Sequence, residues 1–223
     1  LRTRGDRMIE HLSPVRLWIR ESGGAWYGVA ECDGRLAATS SGRTREEAER
    51  ILTSCLPPGA PRTAGIGPSD FADDAARRLA ALEVGGGPDR GFELAPEYYP
   101  EPAASVYRLA AAVPPGYAAS YGGIARAAGT IAREVGRLMA GNPLYPLVPC
   151  HRVVGSDYAL VGDRGETSGP DLRDKLERLR CEARGFREEV ALPGAGGVRV
   201  FPVEWVLAKA DLEGDGGGQP ELW

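Results

Sequence analysis

Ser120-Tyr121-Gly122-Gly123-Ile124-Ala125-Arg126-Ala127-Ala128-Gly129-Thr130-Ile131-Ala132-Arg133-Glu134-Val135-Gly136 decides how the second half of this chain is read. Ser120 has the side chain to cap a short helix through Ala128, Gly129 breaks it, and Thr130 can cap a second helix through Ala140. Two short helices joined by a tight glycine turn form the helix-turn-helix pattern, which in DNA-binding proteins lays its second helix in a groove. The same pattern also describes an ordinary corner between two core helices. Spacing alone leaves both readings open.

Downstream lies Asn142-Pro143-Leu144-Tyr145-Pro146-Leu147-Val148-Pro149-Cys150-His151-Arg152-Val153-Val154, an apolar run that sets a cysteine between a proline and a histidine. The prolines restrict the backbone that presents Cys150, and the thiolate rather than the thiol is the nucleophile. Three readings are open. Cys150 is a buried cysteine beside a chance histidine; or half of a protease-type dyad, whose histidine usually comes from a distant part of the chain, where only His11 exists. Or it is a thiolate activated by the adjacent imidazole, with an acid on a later helix polarising that imidazole.

Upstream, Ala104–Ala112 is apolar on one face and ends at Pro114-Pro115-Gly116, and residues 88–103, with Pro88, Pro96, Pro100 and Pro102, read as a linker. Before it, Val15–Arg20, Ala25–Cys32 and Arg35–Ser40 read as a strand meander turning at Gly23-Gly24 and Asp33-Gly34. Thr44-Arg45-Glu46-Glu47 is a capping box for a helix ended by Pro57-Pro58, and a second helix follows Ser69 through Leu82. After the cysteine, Ala159–Pro170 reads as a surface loop and Asp171–Ala183 as a helix with Leu172, Leu176 and Leu179 on one face. The tail reads as a strand pair, Val198–Phe201 with Trp205–Leu207.

The 223 residues suffice for one large or two small domains. No apolar run approaches the roughly 20 residues of a membrane helix, and the polar start lacks the core of a secretion signal, so the expected location is cytoplasmic. A net charge of −4 excludes a wholly basic nucleic-acid coat, yet around 104–152 Arg108, Arg126, Arg133, Arg137 and Arg152 face only Glu134, which permits phosphate contacts. The four cysteines include no Cys-x-x-Cys pair, which argues against structural zinc. Cys32 and Cys55 are either two buried thiols or, in a hyperthermophile, a disulfide. Asn142 is the only asparagine and Gln219 the only glutamine, a depletion that fits a thermophile or a coding bias.

Pro149-Cys150-His151-Arg152-Val153-Val154, preceded by Gly141-Asn142-Pro143, resembles the active-site signature of the O6-alkylguanine-DNA alkyltransferases, the methylated-DNA–protein-cysteine methyltransferases. Val113-Pro114-Pro115-Gly116, Ser120–Ala125 and Ala132–Gly136 are similar to that family's upstream motifs, so the likeness covers residues 104–185. Residues 1–90 resemble its N-terminal domain only in strand-helix outline. The resemblance implies an α+β fold: a small ribonuclease H-like N-terminal domain over 1–90, a linker over 91–103, and a mainly helical domain over 104–223 that carries the helix-turn-helix and the active-site cysteine.

It further implies a protein that flips a damaged guanine out of the duplex and moves its O6-alkyl group to sulfur once, without turnover. Cys150 would be the acceptor, His151 the base acting through a water, and Glu182 the carboxylate completing the relay. Asn142 would hold the turn that carries the cysteine. Arg133 would fill the gap left by the flipped nucleotide, and Tyr121 would meet the 3′ phosphate and assist protonation of the departing guanine. Arg126, Thr130 and Arg152 would add DNA contacts, with Val148, Pro149, Gly162, Asp163 and Arg164 around the base. In this chain Arg164 stands where the family's loop has a tyrosine. Double-stranded DNA containing O6-alkylguanine would be the partner of a monomer that needs no metal or cofactor. The rivals are a non-catalytic sensor of alkylated DNA, a helix-turn-helix regulator with a sensing thiol, and a cysteine hydrolase.

Overall fold

The computed structural model describes residues 12–86, 91–160 and 170–215. It has a mixed α+β fold in two compact units, Leu1–Ala111 with Gly141–Val148, and Ala112–Ala140 with Pro149–Trp223.

In the first unit β1 (Val15–Ser22), β2 (Ala25–Cys32) and β3 (Arg35–Gly42) form the expected antiparallel meander, and β4 (Arg62–Ala64) pairs parallel to β1, giving the order β3-β2-β1-β4. The β2–β3 turn works because Asp33 and Gly34 both take positive φ, 49° and 74°, as a tight hairpin requires. Helix α1 (Arg45–Cys55) starts where Thr44 accepts the Glu47 N–H at 3.2 Å and the Glu47 carboxylate accepts the Arg43 N–H at 2.8 Å. Its Ala48 and Leu52 pack with Val15, Ile19, Ala30 and Ala38. Alternate strand residues point the other way. There Arg20 and Tyr27 reach Asp73 (2.5 Å) and Glu83 (2.7 Å) of α2 (Asp70–Glu83), so the sheet carries a helix on each face.

Residues 91–103 do not hang as a spacer. Leu36 N–H donates to Glu93 C=O (2.8 Å), Ala95 N–H to Leu36 C=O (2.9 Å), and the Tyr99 hydroxyl to Ala37 C=O. Helix α3 (Ala103–Ala111), expected in the second domain, falls within the first unit, where Tyr107 meets the Tyr99 ring edge-on at 5.4 Å. Gly141–Val148 joins this unit as well. Thr39 donates its N–H to Pro143 C=O and its hydroxyl to Tyr145 C=O, each at 2.9 Å. Prolines suit these extended segments because each donates no N–H to the sheet edge.

The second unit holds a four-stranded sheet in the order β6-β5-β8-β7, made of β5 (Tyr117–Ser120), β6 (Val153–Val154), β7 (Val190–Ala191) and β8 (Arg199–Pro202). Its helices are α4 (Tyr121–Ala127), α5 (Ala132–Ala140), α6 (Pro170–Glu182) and α7 (Val203–Asp215). Ser120 caps α4 by accepting the Gly123 N–H at 2.9 Å. Thr130 does not cap α5. Its N–H closes the end of α4 on Ala125 C=O (2.9 Å) beside Gly129 at φ 68°, and the first carbonyl of α5 is that of Ile131. The expected strand over Trp205–Leu207 is the start of α7 instead. Val203 and Val206 are both buried at helical spacing, Trp205 joins Tyr158 and Phe201 in an aromatic cluster, and β8 pairs with β5. No helix among the described residues is long and apolar enough to cross a membrane.

Candidate active site

Cys150 opens a single 3-10 turn, Cys150–Arg152, between buried Pro149 and β6, and is half-buried. Because β6 lies parallel to β5, with Ala119 opposite Val153, the turn belongs to the same small sheet that leads into α4. The turn points His151 and Arg152 inward, 9 % and 3 % exposed. Both meet Glu182 at the end of α6. His151 Nε2 is 2.9 Å from Glu182 Oε1, and Arg152 donates to both carboxylate oxygens through Nε (3.1 and 2.9 Å) and Nη2 (2.7 Å). Arg152 Nη1 donates to Val113 C=O at 2.8 Å.

This arrangement fixes protons. Burial raises the proton affinity of Glu182, but the His151 and Arg152 hydrogen bonds and the Arg152 charge outweigh it and hold its pKa at about 2. His151 is pushed below the ordinary histidine value, first by burial and further by Arg152 and Arg178, against the opposing pull of Glu182. The imidazole is therefore neutral at pH 7. An ionised carboxylate only accepts, so Nε2 carries the hydrogen and Nδ1 keeps a lone pair. Nδ1 is buried and has no hydrogen-bond partner among the described residues. A basic nitrogen is thus held open one residue from a thiol.

Helix α6 also supplies a residue that the sequence reading passed over. Lys175, 6 % exposed, donates to Val153 C=O at 2.7 Å and to the Tyr121 hydroxyl at 3.2 Å, and lies 5.5 Å from the Tyr121 ring centroid. Lys175, Leu179 and Glu182 follow i, i+4, i+7 and are all buried, so α6 turns one ammonium and one carboxylate inward. That spacing was the available signal; the leucines at 172, 176 and 179 drew attention to a neighbouring stripe.

Cys150, His151, Glu182 and Tyr121 lie in one unit, with Pro149. Arg152 is corrected from a DNA contact to an internal residue, because burial and its bonds to Glu182 and Val113 occupy the guanidinium. Arg126 and Arg133 are exposed on α4 and α5, and Thr130 is half-buried between them. Asn142 and Val148 belong to the first unit. There Asn142 donates from Nδ2 to Val148 C=O (2.7 Å) and accepts the Leu144 N–H (3.0 Å), closing the segment whose next residues are Pro149 and Cys150. Gly162, Asp163 and Arg164 lie outside the described residues. Cys32 and Cys55 are both thiols, and no group of His, Cys, Asp and Glu among the described residues could hold a metal.

The family described as 6-O-methylguanine DNA methyltransferase, DNA binding domain, matches residues 101–184. A methylated-DNA–protein-cysteine methyltransferase of Methanosarcina acetivorans is 35% identical over 112 residues, 49% of this chain and 69% of that protein. The chain belongs to the methylated-DNA–protein-cysteine methyltransferase family. A member from Pyrobaculum aerophilum is 47% identical over 64 residues, 29% of this chain and 41% of its own length. Among solved structures, the O6-methylguanine-DNA methyltransferase of Pyrococcus kodakaraensis superposes with a TM-score of 0.53 at 25% identity, covering 76% of this chain and 99% of its own. The family match spans α3 to α6 and so includes Cys150, His151, Lys175 and Glu182.

Proposed function

We propose that this protein repairs duplex DNA by moving the alkyl group from O6 of a flipped guanine onto Cys150, irreversibly and once per molecule. The observation that carries the proposal is the buried His151: Nε2 tied to an ionised Glu182, and Nδ1 without a hydrogen-bond partner among the described residues, one position from Cys150. The thiol proton passes to Nδ1 through a bridging water, and the thiolate attacks the alkyl carbon in line. The carbon–sulfur bond forms as the carbon–O6 bond breaks, and the electron pair leaves with the guanine. The Tyr121 hydroxyl supplies the proton that makes guanine a good leaving group. The Lys175 ammonium, already bonded to that hydroxyl, faces the charge that develops on its oxygen. No metal or cofactor enters the chemistry.

Extruding a base costs a few kcal/mol, so something must fill the gap. Arg133, exposed in the first turn of α5, has the length and charge for it, with Arg126 toward the phosphates. In this reading α4 and α5 are a helix-turn-helix, the first unit is ribonuclease H-like, Asn142 steadies the chain leading into Pro149-Cys150, and Val148 and Pro149 help hold the base. The protein acts as a monomer in the cytoplasm.

The test is an intact-mass measurement after incubation with a duplex carrying O6-methylguanine. One methyl on Cys150, saturating at one equivalent, is expected. Continued turnover would make the protein a hydrolase. Tight binding to alkylated DNA without mass change would make it a sensor, and binding set by DNA sequence rather than by the lesion would make it a regulator. Arg133→Ala is expected to slow repair of duplex DNA far more than reaction with free O6-benzylguanine; equal losses on both substrates would remove the gap-filling role.

A further inference from the structure

The first unit contains a groove of about 490 Å³ whose lining includes none of the residues assigned above to alkyl transfer. One wall is α1, where Arg45, Glu49 and Thr53 recur every fourth residue as a ridge; the other is β4; the floor includes Leu17 and Ile19 of β1. β4 is an edge strand. Pro61 C=O accepts the Val15 N–H (2.9 Å) and Gly65 N–H donates to Leu17 C=O (2.7 Å). By strand alternation Thr63 also faces β1, so Arg62 and Ala64 turn their N–H and C=O groups outward, where no described strand pairs with them. In the parallel register Arg62 lies opposite Val15 and Ala64 opposite Leu17, which puts the Arg62 side chain on the α1 face, beside the groove.

The groove's charge is lopsided. Arg45 and Arg62 are exposed, and among the described residues neither has a hydrogen bond or ion pair and Glu49 is the only carboxylate in the lining. The edge is also held in place. Arg20 donates to Asp73 (2.5 Å) and to Gly67 C=O (2.8 Å), and a Cβ on Gly65 would collide with the Trp18 ring, so this backbone lies close against the indole. A short edge strand bearing an arginine is a common guard against self-pairing, but Ile66, 88 % exposed at the same edge, works against such a guard. An apolar side chain next to unpaired cations suits a partner that brings carboxylates and covers the isoleucine.

We infer that β4 takes an extended acidic segment of another protein as an added strand, with carboxylates at alternate positions meeting Arg62 and Arg45 and an apolar residue covering Ile66. Main-chain bonds from Arg62 and Ala64 set the register and the arginines select the sign of charge, as in other strand-addition sites. The interaction is independent of the alkyl-transfer reading.

The probe is a fluorescein-labelled peptide alternating glutamate and valine, compared by anisotropy on the intact protein with its lysine-for-glutamate counterpart. Binding of the acidic probe is expected to be at least about tenfold tighter, and Arg62→Glu and Arg45→Glu each to weaken it by about tenfold or more. Ala64→Pro removes an outward N–H while sparing the bonds to β1, and should weaken binding by about two- to tenfold. A probe N-methylated at alternate residues reads the same feature without altering the protein and should lose binding. Absence of saturable binding, equal binding of the two probes, or full binding of the N-methylated probe would each overturn the inference.

Discussion

Glu97 and Glu182 each sit against a titratable neighbour, and the two neighbours shift in opposite directions. In the first unit the Cys32 thiol donates to Glu97 at 3.0 Å, and burial, then the bond to Glu97 and its charge, push the thiol up to about 12. In the second unit Glu182 meets His151 at 2.9 Å, yet the imidazole falls below its ordinary value and the carboxylate is held at about 2. Burial leads both shifts: it disfavours the charged form of each group, and so raises the acid Cys32 and lowers the base His151, with Arg152 and Arg178 adding to the fall of His151. In both pairs the carboxylate raises its neighbour's proton affinity; at Cys32 this adds to burial, whereas at His151 burial outweighs Glu182, which stays ionised through its His151 and Arg152 hydrogen bonds and orients a neutral ring. The same kind of polar contact therefore accompanies opposite shifts, because burial acts in opposite senses on a thiol and an imidazole.

The largest effect separates the two thiols outright. Cys150→Ser is expected to abolish methyl uptake from O6-methylguanine duplex, measured by intact mass, whereas Cys32→Ser should leave the rate within about twofold, since its thiol is withheld from ionisation. Next come the carboxylates. Glu182→Gln leaves a buried guanidinium uncompensated and is expected to cost roughly 3–5 kcal/mol in denaturant unfolding. It should also slow transfer by about 10²-fold through loss of the imidazole's orientation. Glu97→Gln removes a repulsive charge from Cys32 and should change transfer little; a loss as large as that of Glu182→Gln would dissolve the contrast.

Stability against pH sharpens the same comparison. Glu182 has a folded pKa of about 2 against an ordinary 4.5, so its contribution, on the order of 3 kcal/mol, is complete above 4.5 and is lost as pH falls toward 2. His151 adds to this acid limb from an earlier point. Its folded value is depressed, so the unfolded chain takes up the proton first as pH drops through 6.5. Cys32 acts at the other end. Its thiol stays protonated in the fold while the unfolded thiol ionises, so stability declines as pH rises from 9 toward 12. Thermal melts across pH should show Glu182→Gln flattening the acid limb. Cys32→Val should ease the alkaline limb only in part, because burial holds Tyr98 up to about 12 in the same window.

Local elements were legible where local signals set them. The β1–β3 meander, the Thr44 and Ser69 caps and the turn at Gly129 follow from patterns a few residues long. A short apolar run such as Trp205–Leu207 serves strand and helix equally, and burial of Val203 with Val206 decides for helix. Arg152 carries the same charge as Arg126 and Arg133; only its distance to Glu182 removes it from the surface. Lys175 was hidden by its ordinary place in a charged helix. Its role rests on Tyr121, 54 positions away in sequence.

The sequence by itself determined the chemistry available: a thiol and an imidazole on adjacent residues, framed by prolines that leave the backbone few alternatives, with a carboxylate on a later helix. Tertiary structure alone decided which groups carry charge. The proton affinities of His151, Glu182 and Cys32 depend on burial and on neighbours 30 or more residues distant. Desolvation and Coulomb energies vary with distance in space, which a linear sequence does not record.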